Sequence, residues 1–179
     1  RLNQNQIHNL AVLILDVNTR EVLSYVGNAP TTKEHANYVD IIRSNRSTGS
    51  TLKPFLYAAL MGEGQLLPHS LVADVPTSIN GYNPQNFDQS YQGAVPASQA
   101  LARSLNVPAV TLLQEYGLQK FYNKLHQLHF KTIKRPADYY GLSLILGGAE
   151  SNLWNLTNAY AGLAATLNHF NNTSSEYPQ

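Results

Sequence analysis

Ser47-Thr48-Gly49-Ser50-Thr51-Leu52-Lys53-Pro54-Phe55 sets a serine and a lysine three residues apart where a helix opens. Pro54 locates that opening. Proline lacks an N–H and is tolerated only in about the first turn of a helix, which predicts a start at or near Ser50. Apolar residues then recur at Leu52, Phe55, Leu56, Ala59 and Leu60, a stripe of helical period that predicts a core-facing helix to about Met61. Positions three apart share a helix face, so the arm of Lys53 reaches back toward the Ser50 hydroxyl.

A serine hydroxyl is a weak nucleophile near neutral pH and needs a base within hydrogen-bond reach. A lysine can be that base only when burial or neighbouring cations lower its pKa from the ordinary value of about 10.4. Gly49 allows a tight turn before the serine, and the free N–H groups of a helix start favour developing negative charge. The spacing S-x-x-K is common by chance. A second segment, Ala100-Leu101-Ala102-Arg103-Ser104-Leu105-Asn106-Val107-Pro108-Ala109, offers a hydroxyl and an amide two residues apart, and is equally weak alone.

Together, and with Gly49 and Pro54 around the first, the two segments resemble those of the serine penicillin-recognising enzymes, the penicillin-binding proteins and serine β-lactamases. Residues 8–27, HNLAVLILDVNTREVLSYVG, resemble the opening hairpin of a transpeptidase domain, with strands at 10–15 and 21–26 around a polar turn at 16–20. Asp74-Val75-Pro76, Gly81-Tyr82-Asn83-Pro84-Gln85-Asn86-Phe87-Asp88 and Tyr91-Gln92-Gly93 resemble the loop leading to the second motif in class A penicillin-binding proteins. Leu142-Ser143-Leu144-Ile145-Leu146-Gly147-Gly148-Ala149-Glu150, and the helix from 153 to about 168, are similar to the corresponding turn and helix. The resemblance covers nearly the whole chain and is most detailed with the 1C type of class A.

It implies an α/β (α+β) fold: a fragment of the penicillin-binding/β-lactamase-like transpeptidase fold, with hairpin 8–27 and a mostly helical remainder over 47–179, in one partial domain 1–179. It implies a peptidoglycan D-alanyl-D-alanine transpeptidase with Ser50 as nucleophile, Lys53 as its base, Ser104 as proton relay and Asn106 as a substrate-binding amide. No cofactor or metal is implied. The implied partners are stem peptides ending in D-Ala-D-Ala and β-lactam antibiotics, and the implied location is the periplasmic face of the bacterial inner membrane. A β-lactam-sensing or non-catalytic penicillin-binding module, and a serine β-lactamase, are the alternatives.

One departure stands against these agreements. The family's third motif, Lys-Thr-Gly or a close variant, follows the helix after the Gly147-Gly148 turn, and nothing like it follows Tyr160. Lys131-Thr132-Ile133 precedes that turn, lacks the glycine and reads as a surface loop. In the family the third motif anchors the substrate carboxylate and supplies the second oxyanion-hole N–H, and losing one such donor slows catalysis about 100- to 1000-fold. The chain is therefore expected to be a segment of a longer protein, impaired by itself. A glycosyltransferase domain and membrane anchor are expected upstream, with Arg1 and the polar tail 168–179 as cut ends. Self-association is one way such a segment completes its sheet.

The 179 residues suffice for one domain with a sizeable core. A net charge of +1 leaves no basic patch for nucleic acid. The absence of cysteine excludes disulfide, thiolate and zinc-thiolate chemistry in these residues, and no apolar run is long enough to span a bilayer. Residues 62–91, rich in Gly, Pro and Asn, read as a long functional loop. Helices are expected at 97–105, 107–116 and 118–128, and Leu153, Leu156, Tyr160 and Leu163 form a core stripe on the last helix. His126 and His129 share an expected helix face without a third ligand and read as packed or solvated side chains. Glu150 reads as a carboxylate at a helix N-terminus. Arg46 and Arg103 read as surface arginines, while Tyr82 and Asn83 either form a turn or line a substrate groove.

Overall fold

The computed structural model describes residues 3–30 and 32–173 and divides the chain into two compact units. Arg1 and residues 174–179 of the expected polar tail lie outside the described residues.

The first unit comprises residues 1–46, 128–132 and 151–179. Its hairpin joins β1 (Val12–Leu15) to β2 (Val22–Val26), antiparallel, with Val12 opposite Val26 and Ile14 opposite Ser24. Asp16 builds the turn. Its Oδ1 accepts from the N–H groups of Asn18 and Thr19 at 2.9 and 2.7 Å, an Asx arrangement that lets Arg20 take a left-handed φ of +64°. Those two N–H bonds, chiefly that from Thr19, hold the Asp16 carboxyl below its ordinary range. Helix α6 (Leu153–Thr173) packs on β1, and Arg20 donates to the Asn158 carbonyl on it at 3.2 Å.

Asn152 starts α6, its Oδ1 accepting from the Asn155 N–H at 2.9 Å. Two strands are only two residues long, β3 (Arg46–Ser47) and β6 (Glu150–Ser151), and Glu150 lies in the latter, before the helix, so the expected helix-terminal carboxylate is corrected to an asparagine cap. The expected apolar stripe is corrected too: Leu153, Leu156 and Leu163 are half-buried and Tyr160 is exposed, while the buried positions are Ala159 and Ala161. Small side chains sit at the buried positions of this helix; larger ones remain at its margin.

The second unit comprises residues 47–127 and 133–150. Its centre is α3 (Asn106–Tyr116), whose Val107, Ala109, Val110 and Leu113 are all fully buried. Burial at consecutive positions 107 to 110 means that α3 is covered all round rather than along one stripe. Around it pack α1 (Lys53–Gly62), α4 (Leu118–Gln127) and a 3-10 helix over Gly141–Leu146 that follows the short α5 (Ala137–Tyr140). Leu52, Leu56, Phe121, Leu125, Ile133, Leu144 and Ile145 complete this core with no exposed surface. Transfer of each such side chain from water contributes about 1.5–3 kcal/mol.

The segment 62–91 is only partly a loop, because Leu71–Asp74 forms β4, antiparallel to β5 (Gly93–Pro96), with Asp74 opposite Gly93. Alternation along β4 is clear in the structure, Val72 and Asp74 inward and Leu71 and Ala73 outward. The inward aspartate hid that pattern from a reading by hydropathy. Between the strands, Ile79 and Tyr82 exchange backbone hydrogen bonds of 2.9 and 2.8 Å around Asn80 and Gly81, both at positive φ, so Tyr82 closes a tight hairpin turn. Helix α2 (Ala97–Ala102) ends earlier than expected, because Ser104 adopts φ +55° and breaks the run before α3. Helix α4 ends at Gln127, so His126 and His129 do not share a helix face; His126 rests instead against the Tyr122 ring at 4.5 Å.

Candidate functional site

Ser50 and Lys53 sit on a stack of tight turns rather than inside one helix. The Thr51 N–H donates to the Thr48 carbonyl and the Lys53 N–H to the Ser50 carbonyl, both at 3.1 Å, before α1 begins at Lys53. Pro54 occupies the first turn of α1, as its missing N–H requires, which puts the helix start three residues later than the sequence predicts. Gly49, at φ +52°, makes the turn that feeds Ser50.

A second segment pins that turn. The Ser47 hydroxyl donates to the Gly147 carbonyl at 2.8 Å, and the Thr48 N–H donates to the Ala149 carbonyl at 3.0 Å. The backbones approach so closely that a Cβ on Gly147 would lie 2.5 Å from the Ser47 Oγ and 2.8 Å from the Gly49 nitrogen. Gly147 also has φ +103°, a conformation that L side chains rarely adopt. The Gly147-Gly148 pair thus holds the entry to Ser50 by direct backbone packing, a role that sequence alone did not assign to it.

Lys53 is one of the largest fully buried side chains of the protein, at 1% exposure. Its Nζ donates to the Ser104 carbonyl at 2.7 Å, the Ser104 Oγ at 3.2 Å and the Asn106 Oδ1 at 2.7 Å. Three N–H donors therefore meet three acceptors, all uncharged. Among the described residues the ion pairs are those of Glu63 with Lys120 and Lys124, so no carboxylate neutralises Lys53. Burial without a counter-ion pushes the lysine down to about 8 from an ordinary 10.5.

The four sequence-predicted residues are brought together unequally. Lys53, Ser104 and Asn106 form one hydrogen-bonded cluster. Ser50 lies one turn before Lys53, half-buried, and among the described residues its hydroxyl makes no hydrogen bond, to Lys53 or to any other group. Ser104 is exposed and held in the left-handed region, a strained conformation for a residue with a Cβ that directs both its carbonyl and its hydroxyl at one ammonium. Asn106 opens α3 with its side chain fixed at both ends, Oδ1 accepting from Lys53 and Nδ2 donating to the Gln85 carbonyl at 2.9 Å. One Nδ2 hydrogen remains for another acceptor.

Arg103 is exposed; hydrogen bonds from Ser90 hold the Asp88 carboxyl below its ordinary range, and the Arg103 charge adds only a minor pull in the same direction. Beside Gln85 an open cleft is lined by Pro76, Ser78, Asn83 and Tyr91, so Asn83 lines a groove while Tyr82 forms a turn. No group of His, Asp or Glu suited to a metal ion exists among the described residues.

With this geometry in place, the chain can be set beside known proteins. Residues 10–170 match the family model described as the penicillin binding protein transpeptidase domain. The chain is 38% identical over 157 residues to penicillin-binding protein 1C of Escherichia coli, covering 87% of this chain and 20% of that protein. It is 33% identical over 146 residues to penicillin-binding protein 1F of Bacillus subtilis, covering 80% of this chain and 19% of that protein. The chain thus spans about a fifth of the length of the curated relatives it matches. Among solved structures, penicillin-binding protein 1A of Haemophilus influenzae superposes with a TM-score of 0.72 at 26% identity, over 86% of this chain and 23% of that one. The PonA1 protein of Mycobacterium tuberculosis in complex with penicillin V superposes with a TM-score of 0.70 at 25% identity, over 86% of this chain and 43% of that one.

Proposed function

Because the chain belongs to the penicillin-binding protein transpeptidase family, we propose that it carries the acylation machinery of a peptidoglycan D-alanyl-D-alanine transpeptidase, with Ser50, Lys53, Ser104 and Asn106 as its working groups. The observation that carries this reading is the fully buried Lys53, whose Nζ is surrounded by neutral acceptors from Ser104 and Asn106. A lysine so placed loses its proton near physiological pH. The neutral amine keeps two N–H donors and gains a lone pair, so it releases one of its three acceptors and turns the lone pair to the unengaged Ser50 hydroxyl.

Ser50 Oγ then attacks the carbonyl between the two D-alanines while its proton passes to Lys53. Collapse of the tetrahedral intermediate breaks the peptide bond and leaves an ester on Ser50. The leaving nitrogen needs a proton. Ser104 Oγ accepts from Lys53, which leaves its own O–H free to donate to that nitrogen and to recover a proton from Lys53. Terminal D-alanine departs. The spare hydrogen of the Asn106 Nδ2 binds the substrate carbonyl on the acyl side, and the amine of a second stem peptide resolves the ester into the cross-link.

β-Lactams enter the same path as acylating mimics of the dipeptide, and the penicillin V complex of PonA1 supports that assignment. The reading places the domain on the outer face of the cytoplasmic membrane, where peptidoglycan is built. No helix among the described residues is long and apolar enough to cross a membrane.

The test is to incubate the intact protein with a fluorescent penicillin, digest it and map the label. Label on Ser50, lost in Ser50→Ala, is the expected result; label on another residue, or none in the wild type, overturns the reading. Release of cross-linked peptide from a D-Ala-D-Ala donor separates a transpeptidase from a sensor module, and slow nitrocefin turnover separates it from a β-lactamase.

A further inference from the structure

Asp74 is the one carboxylate among the described residues with no exposed surface, and no cation pairs with it. An ionised carboxylate held that way costs several kcal/mol unless its oxygens are hydrogen-bonded. Its Oδ1 accepts from Asn86 Nδ2 at 2.7 Å and its Oδ2 from the Gln92 N–H at 3.0 Å. The carboxylate at the end of β4 therefore grips the loop 75–92 at two points.

Asn86, only 4% exposed, uses its whole hydrogen-bonding capacity. Its Nδ2 donates to Asp74 and to the Ser90 carbonyl at 2.9 Å, and its Oδ1 accepts from the N–H groups of Asn106 and Val107 at 2.8 and 3.3 Å. Those two N–H groups open α3. The residue that precedes the helix, Leu105, has no side chain able to cap them. Asn86 is thus an N-cap supplied from a segment twenty positions away, and the helix it caps begins with Asn106. The neighbouring Gln85 carbonyl holds the Asn106 side chain, so adjacent loop residues fix both backbone and amide of the group that takes a Lys53 hydrogen bond.

We propose that Asn86, anchored by the buried Asp74 carboxylate, is a positioning residue for acylation: it fixes Asn106 and, through it, the Lys53 Nζ. The inference rests on the Ser50–Lys53 reading above. Asn86 touches no reacting atom. Its effect is on the placement of the base, and a misplacement of about 1 Å costs up to about 100-fold in rate.

The test uses the intact protein and a fluorescent penicillin, with rapid mixing to separate the affinity of the non-covalent complex from the first-order acylation step. Thermal unfolding is followed on the same samples. Asn86→Asp sets two carboxylates against each other and removes the donor to Asp74. It is expected to slow the acylation step about 10- to 100-fold while changing the prior affinity less than about 3-fold. Combining it with Asp74→Asn restores one donor and one acceptor across the contact, with the charge now at the α3 N-terminus, where it is favoured. The double variant is expected to recover at least tenfold of a hundredfold loss, or a corresponding share of a smaller one.

If Asn86→Asp does not fold, Asp74→Asn alone carries the test. It keeps side-chain volume and is expected to slow acylation at least about 3-fold in the folded fraction. A merely structural role would lower the unfolding temperature and leave the acylation step of folded protein at the wild-type rate, which overturns the proposal. A loss confined to prior affinity, or a folded double variant with no recovery, overturns it as well. A wild type that acquires no label at Ser50 sinks instead the reading on which the proposal rests.

Discussion

The acylation rate should follow the ionisation of Lys53, so pH is the perturbation that most directly interrogates the site. With the lysine at about 8, its neutral fraction is about 1% at pH 6, about 9% at pH 7 and half at pH 8. A lysine at its ordinary value would be neutral in only about one molecule in 3,000 at pH 7. Acylation by a saturating fluorescent penicillin should therefore rise about 50-fold between pH 6 and pH 8 and flatten above pH 9. The assay is rapid-mixing fluorescence at fixed ionic strength, with Lys53→Ala as the control that should remove the pH-dependent component. A flat profile would show that Lys53 is not the base, and one still climbing steeply at pH 10 would show that burial does not bring its ionisation down to about 8.

The same shift makes a separate statement about stability. Unfolding returns Lys53 to about 10.5, so between pH 8 and 10.5 the unfolded chain binds more protons than the folded one. Stability from this group is fully present above the unfolded value and is lost as pH falls through about 8, with a span of about 3 kcal/mol. Above pH 10, Tyr57 and Tyr116 act in the opposite sense. Both are pushed up to about 12, Tyr57 by burial and Tyr116 by burial and the Glu63 carboxylate. The clean window for chemical denaturation is therefore pH 7 to 10, where the wild type should gain stability and Lys53→Met should not.

Gly147→Ala drives a methyl group into the Ser47 Oγ and the Gly49 backbone at a left-handed φ; it should destabilise the protein by about 1–3 kcal/mol and slow penicillin labelling, both read on one preparation. Ser104→Gly relieves the strain of a positive φ while deleting the hydroxyl, so the unfolding free energy should move by less than about 1 kcal/mol while peptide release slows at least tenfold. Phe121→Ala empties a fully buried site against Tyr116 and should cost about 3–5 kcal/mol in chemical denaturation.

The elements that could be read from sequence are those whose signal is local. The hairpin turn is written in Asp16 and its two N–H acceptances, and Pro54 marks the first turn of α1, although the helix starts at Lys53 rather than at Ser50. Leu52, Phe55, Leu56 and Leu60 are buried as the periodicity demands, and only Ala59 of that stripe is half-exposed. What sequence alone did not give is set by contacts between distant segments. Strand β4 buries an aspartate where a hydrophobic residue would have announced it. Helix α2 stops because Ser104 must turn both its oxygens to Lys53, a requirement imposed by a residue far back in the chain. Lys53, Ser104 and Asn106 stand in two short segments that single them out only through their joint resemblance to a known family, whereas Asp74 and Asn86 fall in a loop whose resemblance assigns them no role. The physical signal for them is Leu105: a leucine before α3 leaves its first N–H groups without a local cap, so a polar side chain from elsewhere must supply one.

That division of labour also explains how a buried lysine and a buried carboxylate coexist in one unit without pairing. A carboxylate in contact with Nζ would raise the lysine's pKa and keep it protonated where a base is needed. Asparagines solve the problem because an amide accepts at one end and donates at the other without net charge. Asn86 takes the carboxylate with Nδ2 and the α3 N–H groups with Oδ1, and Asn106 takes Lys53 with Oδ1 and the loop with Nδ2. Order passes along the chain of hydrogen bonds while the anion stays two side chains away from the cation. Burial is then the effect that dominates at Lys53, and it drives the ionisation in the direction a base requires.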